Sequence, residues 1–232
     1  MTSSARPAEL PPASVSRAPA SASARAATRP NEPVAPVIRI DLSCTLKRAR
    51  PRGGTGPIWP FDGVLASGSN HVAPITEMAV EDFDAVMDAN VRGAWLVCRA
   101  AGRVLLEQGQ GGSVVLVSSV RGGLGNAAGY SAYCPSKAGT DLLAKTLAAE
   151  WGGHGIRVNA LAPTVFRSAV TEWMFTDDPK GRATREAMLA RIPLRRFAEP
   201  EDFVGALIYL LSDASSFYTG QVMYLDGGYT AC

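Results

Sequence analysis

From residue 61 onward the chain alternates short apolar runs with longer stretches in which apolar residues recur every three or four positions. The short runs are Gly63-Val64-Leu65-Ala66, Val114-Val115-Leu116-Val117, Ile156-Arg157-Val158-Asn159-Ala160-Leu161 and Val222-Met223-Tyr224-Leu225. Largely apolar segments of this length suit strands of a parallel sheet covered on both faces. The periodic stretches predict helices. One runs from Val80 to Gln108, with Phe83, Val86, Met87, Val91, Ala94 and Trp95 on its apolar stripe. A second spans about Tyr133 to Trp151. A third opens at Pro200 and buries Phe203, Ala206, Leu207, Leu210 and Leu211. Proline at a first helical position followed by Glu201 and Asp202 is a helix start. Strand and helix in alternation predict an α/β fold, a Rossmann-like doubly wound parallel sheet with right-handed crossovers.

Residues 1–60 break the pattern. To about Pro36 the chain is nearly all Ala, Ser, Pro and Arg, with no period of 2 or 3.6, and it reads as disordered. Val37-Ile38-Arg39-Ile40 is a candidate short strand, and residues 44–60 are broken by Pro and Gly into an irregular segment. Two regions follow: a basic Ala/Pro/Arg-rich segment, 1–60, and a globular domain, 61–232. The net charge of +2 conceals this division, since the segment 1–60 holds 9 Lys and Arg against 3 Asp and Glu. Its basic residues are scattered, and no aromatic residue precedes Trp59, so a nucleic-acid partner is not expected. No apolar run is long enough to span a bilayer, and the N-terminus has no apolar core of a secretory signal. The four cysteines, Cys44, Cys98, Cys134 and Cys232, lie far apart, and with two histidines they offer no zinc site. Free thiols point to the cytoplasm.

Candidate chemistry begins with Tyr133-Cys134-Pro135-Ser136-Lys137. Tyr133 and Lys137 are one turn apart on one helix face, and an ammonium beside a phenol favours the phenolate. Such a tyrosine can act as general acid or base on an alcohol or carbonyl oxygen, although the same spacing also occurs as an ordinary surface pair. Ser118-Ser119 ends an apolar strand, where open α/β sheets place their ligands and where a serine can donate to a substrate oxygen or simply cap a turn. Asn90 sits inside an apolar helical stripe, where a buried amide must find partners. Gly93 permits a bend or a close approach beside it.

Taken in order, these residues resemble the Asn-Ser-Tyr-Lys tetrad of the short-chain dehydrogenase/reductase family. Asn90-Val91-Arg92-Gly93 looks like the family's NVxG, and Gly155-Ile156-Arg157-Val158-Asn159 is similar to its GIRVN. Glu199-Pro200-Glu201-Asp202, Tyr218-Thr219-Gly220-Gln221 and Asp226-Gly227-Gly228 continue the likeness, which runs from about Phe61 to the C-terminus. The resemblance implies an oxidoreductase that interconverts a secondary alcohol and a ketone with NAD or NADP. Tyr133 would be the acid/base, and Lys137 would lower its pKa and bond the nicotinamide ribose. Ser119 would polarise the carbonyl, and Asn90 would hold a water leading from Lys137. Pro163, the backbone of Phe166, and Ser168 would flank the carboxamide. Ser67 and Gly68 lie near the cofactor in Ala66-Ser67-Gly68-Ser69, which stands where the family has NNAG. Thr164 replaces the glycine expected after Pro163. The stretch from Ala169 to Phe197 would be the lid over a small alcohol or ketone. A homodimer or homotetramer would form through the helices carrying Asn90 and Tyr133.

The family's TGxxxGxG phosphate loop is missing. Gly53-Gly54-Thr55-Gly56 is followed by Pro57 and flanked by no strand or helix pattern, and Ile40-Asp41-Leu42 is at most a remnant of a third strand. The domain is therefore expected to lack its first strands and helices. A shifted reading frame or wrong start, a targeting peptide, or a genuine loss of the fingerprint would each account for the segment 1–60. The last would make the chain a cofactor-free structural or regulatory subunit with the family's fold. Nicotinamide binding separates that reading from the enzyme.

Overall fold

Alternate residues of one central strand face two different layers of helix. In the computed structural model, which describes residues 62–167, 171–176 and 178–232, this strand is β2 (Gly112–Val117). It lies between β1 (Asp62–Leu65) and β3 (Ile156–Pro163), with β4 (Val222–Leu225) beyond β3. All neighbours are parallel, in the order β1-β2-β3-β4. Val114 and Leu116 pack with Val158 and Ala160 of β3 beneath two helices, α2 (Gly93–Gln108) and α3 (Tyr133–Trp151). Val115 and Leu161 face the other way, against Phe203, Leu207, Leu210 and Leu211 of α5 (Pro200–Leu211). This period-2 division of apolar side chains is what makes three layers.

The expected Rossmann-like parallel sheet is thus present. Among the described residues its strands run in sequence order, with no reversal. The core is thickest at β2 and β3, where Val115, Leu116, Ile156, Val158 and Leu161 are essentially inaccessible. Each such side chain contributes roughly 1.5–3 kcal/mol. Val64 and Leu65 of β1 are only partly buried. Strand and helix limits otherwise match the sequence closely, and α3 spans Tyr133–Trp151 as expected. The candidate strand at Val37-Ile40, Asp41 and the Gly53–Gly56 lookalike lie outside the described residues.

The helix expected to run unbroken from Val80 to Gln108 is a correction. It consists of α1 (Val80–Met87), a π-helical turn at Asp88–Arg92, and α2. The extra residue changes which side chains face inward. Val86, Asn90, Ala94, Cys98 and Leu105 are buried, whereas Phe83 and Trp95, expected inside, are 38% and 49% exposed. A regular helix from Val86 to Ala94 would put the two about 80° out of phase; absorbing one residue in a wide turn reduces that to about 20°. Where α2 crosses α3, Gly102 lies so close to the Trp151 ring that a Cβ would collide with it.

Among the described residues no helix is long and apolar enough to cross a membrane, and no three side chains gather as metal ligands.

Candidate active site

The carboxyl ends of β2 and β3, the first turns of α3 and the π-turn meet at one edge of the sheet. Ser118 and Ser119 follow β2, and Ser119 caps a short turn, Val120–Gly122, its Oγ accepting from Arg121 N at 3.2 Å. The Ser119 side chain also lies close enough to the Tyr133 phenol to favour its ionised form. Lys137, one helical turn on and 5% exposed, places Nζ 5.7 Å from the Tyr133 ring centroid and donates to Val117 O at 3.1 Å. The structure therefore brings Ser119, Tyr133 and Lys137 together.

Asn90 is held from two sides. Its Oδ1 accepts from Ser69 N at 2.7 Å, while Nδ2 donates to Ser69 O at 2.9 Å and to Ser136 Oγ at 2.8 Å. Ser136 passes the chain on, donating to Tyr133 O at 2.8 Å. The π-turn makes this possible by turning a polar residue inward within an apolar stripe. Gly68 runs between these groups; a Cβ there would stand 3.0 Å from Asn90 Oδ1 and 3.3 Å from Lys137 Nζ. Ser67 precedes it in the same partly buried loop. The loop that departs from NNAG is thus anchored to Asn90 through the backbone of Ser69.

The electrostatics differ from the expectation. Burial raises the pKa of the Tyr133 phenol, and the Ser119 side chain and the Arg121 charge only partly offset it. Lys137 is not among the causes. Its ammonium turns to Val117 O, and burial pulls its own pKa down to about 8 against the opposing charge of Asp141. Burial, rather than the charge of Lys137, sets the direction in which the phenol is shifted here.

Pro163 closes β3 beside Leu225. Thr164 Oγ1 follows it, buried and without a hydrogen-bond partner among the described residues. Phe166 stacks edge-on against Phe203 at 4.9 Å and bridges to Ala198, while its carbonyl accepts from Thr171 Oγ1 at 2.6 Å. Ser168 lies outside the described residues. In the expected lid, a short turn at Glu172–Phe175 leads to α4 (Pro179–Arg191). Met174 is buried and Phe175 packs against Phe197 at 5.4 Å, so these two serve the core; Trp173 stays 46% exposed.

Three polar residues were missed by sequence reasoning. Ser136 and Asp141 sit on the inner face of α3, one position before and four after Lys137. Helical spacing alone could have found them. Asp141 is 8% exposed, lies near the Ser118 hydroxyl, and has one oxygen without a partner among the described residues. Arg121 carries no such signal, since only folding brings it beside Tyr133.

A family model described as enoyl-(acyl carrier protein) reductase matches residues 61–230, the span holding every motif assembled above. The chain belongs to the short-chain dehydrogenase/reductase family. A relative, an oxidoreductase of Mycobacterium tuberculosis H37Rv, is 99% identical over 173 residues, 74% of this chain and 64% of that protein. The D-threitol dehydrogenase of Mycolicibacterium smegmatis is 37% identical over 167 residues, 72% of this chain and 62% of its own length. This short-chain dehydrogenase/reductase therefore spans less than two thirds of the length of these relatives. A solved gluconate 5-dehydrogenase from Burkholderia cenocepacia, in complex with NADP and tartrate, superposes with a TM-score of 0.69 at 28% identity. That match covers 82% of this chain and 71% of the other.

Proposed function

We propose that this chain carries the catalytic half of an NAD- or NADP-dependent oxidoreductase interconverting a secondary alcohol and a ketone. The observation that carries the reading is the convergence of the Ser119 hydroxyl, the Tyr133 phenol and the Lys137 ammonium at the carboxyl edge of the sheet. In the oxidation direction Ser119 holds the alcohol oxygen, Tyr133 takes the hydroxyl proton, and the hydride leaves the carbinol carbon. Reduction runs the same steps backward, with Tyr133 returning the proton. Bound nicotinamide supplies the hydride acceptor or donor.

The residues present suit the nicotinamide half of that cofactor. Lys137 uses one ammonium donor on Val117 O and keeps others for a ribose hydroxyl. Thr164 Oγ1 is a buried hydroxyl beside Pro163 with no hydrogen-bond partner among the described residues, suited to a carboxamide flanked by Pro163, the Phe166 backbone and Ser168. Asn90, fully engaged with Ser69 and Ser136, fixes the loop holding Ser67 and Gly68. The named relatives support small polyols, ketoses and sugar acids as the substrate class.

Association into a homodimer or homotetramer is part of the proposal. Trp95, Leu96 and Val97 on α2 and Leu142 on α3 are 47–64% exposed, an apolar surface suited to a second copy. Cys98, Cys134 and Cys232 are free thiols among the described residues, which supports a reducing cytoplasm.

The test is oxidation or reduction of a panel of polyols, ketoses and hydroxy acids, followed by NADH or NADPH absorbance. Turnover that Tyr133→Phe removes supports the enzyme. No nicotinamide binding by calorimetry and no turnover would favour the cofactor-free subunit. That second reading draws on the lack of a glycine-rich phosphate loop among the described residues.

A further inference from the structure

Two guanidinium groups share one tyrosine ring at the mouth of the site, and neither has a counter-ion among the described residues. Arg121 lies 5.6 Å and Arg191 4.3 Å from the Tyr229 ring centroid. The ion pairs of the described residues involve neither. Arg121 donates to Gly125 O at 3.1 Å and Tyr229 Oη at 3.0 Å, which fixes its plane and leaves the other donors of the fork unused. The Arg191 guanidinium has no hydrogen-bond acceptor among the described residues. Both guanidinium groups lie within 5.6 Å of one ring centroid, so they are no more than about a Debye length apart and an anion beside Arg121 is attracted by both charges.

Arg121 also adjoins the reacting groups. The backbone N–H of Arg121 bonds the Ser119 hydroxyl. Its guanidinium lies 5.8 Å from the ring centroid of Tyr130, which in turn stacks edge-on with Tyr133 at 6.0 Å. Its charge is felt at the Tyr133 phenol. An anion held by Arg121 would therefore sit a few atoms from an oxygen on Ser119 and Tyr133.

We infer that Arg121, with Arg191 behind it, binds a carboxylate of the substrate, so that the site takes a hydroxy or keto acid in preference to a neutral polyol or ketose. Planar bidentate pairing with a carboxylate is what the fixed guanidinium offers, and lysine would reproduce the charge but not the fork. The inference deepens the proposed function and rests on the same site, but it concerns binding and can be tested apart from turnover.

L-Tartrate and L-threitol share a four-carbon diol and differ at the ends, two carboxylates against two neutral carbinols. Calorimetric titration of the full chain with each, with and without saturating NADP, measures the preference directly. Tartrate should bind at least about tenfold more tightly, and Arg121→Met should weaken tartrate by about tenfold while leaving threitol unchanged. Arg121→Lys should fall between, and Arg191→Met should weaken tartrate several-fold. Tartrate bound no better than threitol, or bound not at all, overturns the inference, as does a preference that survives Arg121→Met. If Arg121→Met fails to fold, an unchanged preference in both Arg121→Lys and Arg191→Met overturns it instead. A preference lost in Arg121→Met in a chain that never oxidises or reduces anything would refute the proposed enzyme and leave the carboxylate site standing. Turnover of neutral ketoses with no tartrate preference would do the reverse.

Discussion

In the proposed reaction the Tyr133 hydroxyl exchanges a proton with a substrate oxygen held on Ser119, and phenylalanine removes that atom alone. Tyr133→Phe is expected to reduce turnover at least about tenfold with an unchanged melting temperature; a rate kept above a tenth of wild type assigns proton transfer elsewhere. Lys137 titrates at about 8 because burial lowers its pKa and Asp141 opposes the fall. Asp141→Asn removes the opposing charge, so the Lys137 titration, followed by NMR of labelled Nζ or by amine-selective labelling, should move below 8. An unmoved titration would show that Asp141 only packs. That Asn90, Ser119, Tyr133 and Lys137 lie near one another was legible because each sits in a short motif of its own, on a helix face or at a strand end. Arg121 was not, because Tyr130 and Tyr133 lie across an irregular loop from it and Tyr229 lies at the far end of the domain. The acidity of Tyr133 was misjudged for a related reason: sequence shows that a lysine is near, but not which way it turns or how much water is excluded.

At the scale of elements, α3 and α5 were readable from end to end. Each begins at a local chemical signal and keeps one phase throughout. The segment from Val80 to Gln108 was not, since the wide turn at Asp88–Arg92 resets the phase without any proline or glycine pair to announce it. α5 also allows a separable test of its start. Asp202 accepts from Glu199 N at 2.9 Å and holds Arg196 by two contacts, of 2.6 and 2.8 Å, which depress its pKa to about 2. Asp202→Ala should cost about 1 kcal/mol of stability at neutral pH, mostly through the lost cap. A depressed carboxyl stabilises the fold above its unfolded pKa of 3.8 and ceases to do so as pH falls through about 2. The denaturation curves of wild type and variant should therefore converge between these values, and a gap persisting below pH 2 would assign the loss to packing.

At the scale of the molecule, β1 is only partly buried along its whole length. Asp62 lies there beneath the strand ends, its Oδ1 accepting from Ser113 N at 3.2 Å, and burial raises its pKa to about 6 despite the attraction of Arg157. A raised carboxyl favours folding while protonated, so its contribution is full below 3.8 and lost as pH rises through about 6. Asp62→Asn keeps the acceptor and removes the charge. Allowing for the water that still reaches this carboxyl, it should stabilise the protein by about 1–2 kcal/mol at pH 8 and by little at pH 3.5, read from urea melts at the two values. Equal effects at both would refute the assignment. The order of the strands has a further consequence for how the protein is made. Because β1, β2, β3 and β4 lie side by side in the sequence in which a ribosome delivers them, each new strand finds its partner already synthesised. Ser119, Tyr133 and Lys137 precede β3 in the chain, whereas Tyr229, whose hydroxyl accepts from Arg121, follows β4. A growing chain can therefore gather Ser119, Tyr133 and Lys137 before Tyr229 is present to fix Arg121, and if the proposed carboxylate site holds, arrested chains lacking β4 should show no tartrate preference even where β2 and β3 already resist protease.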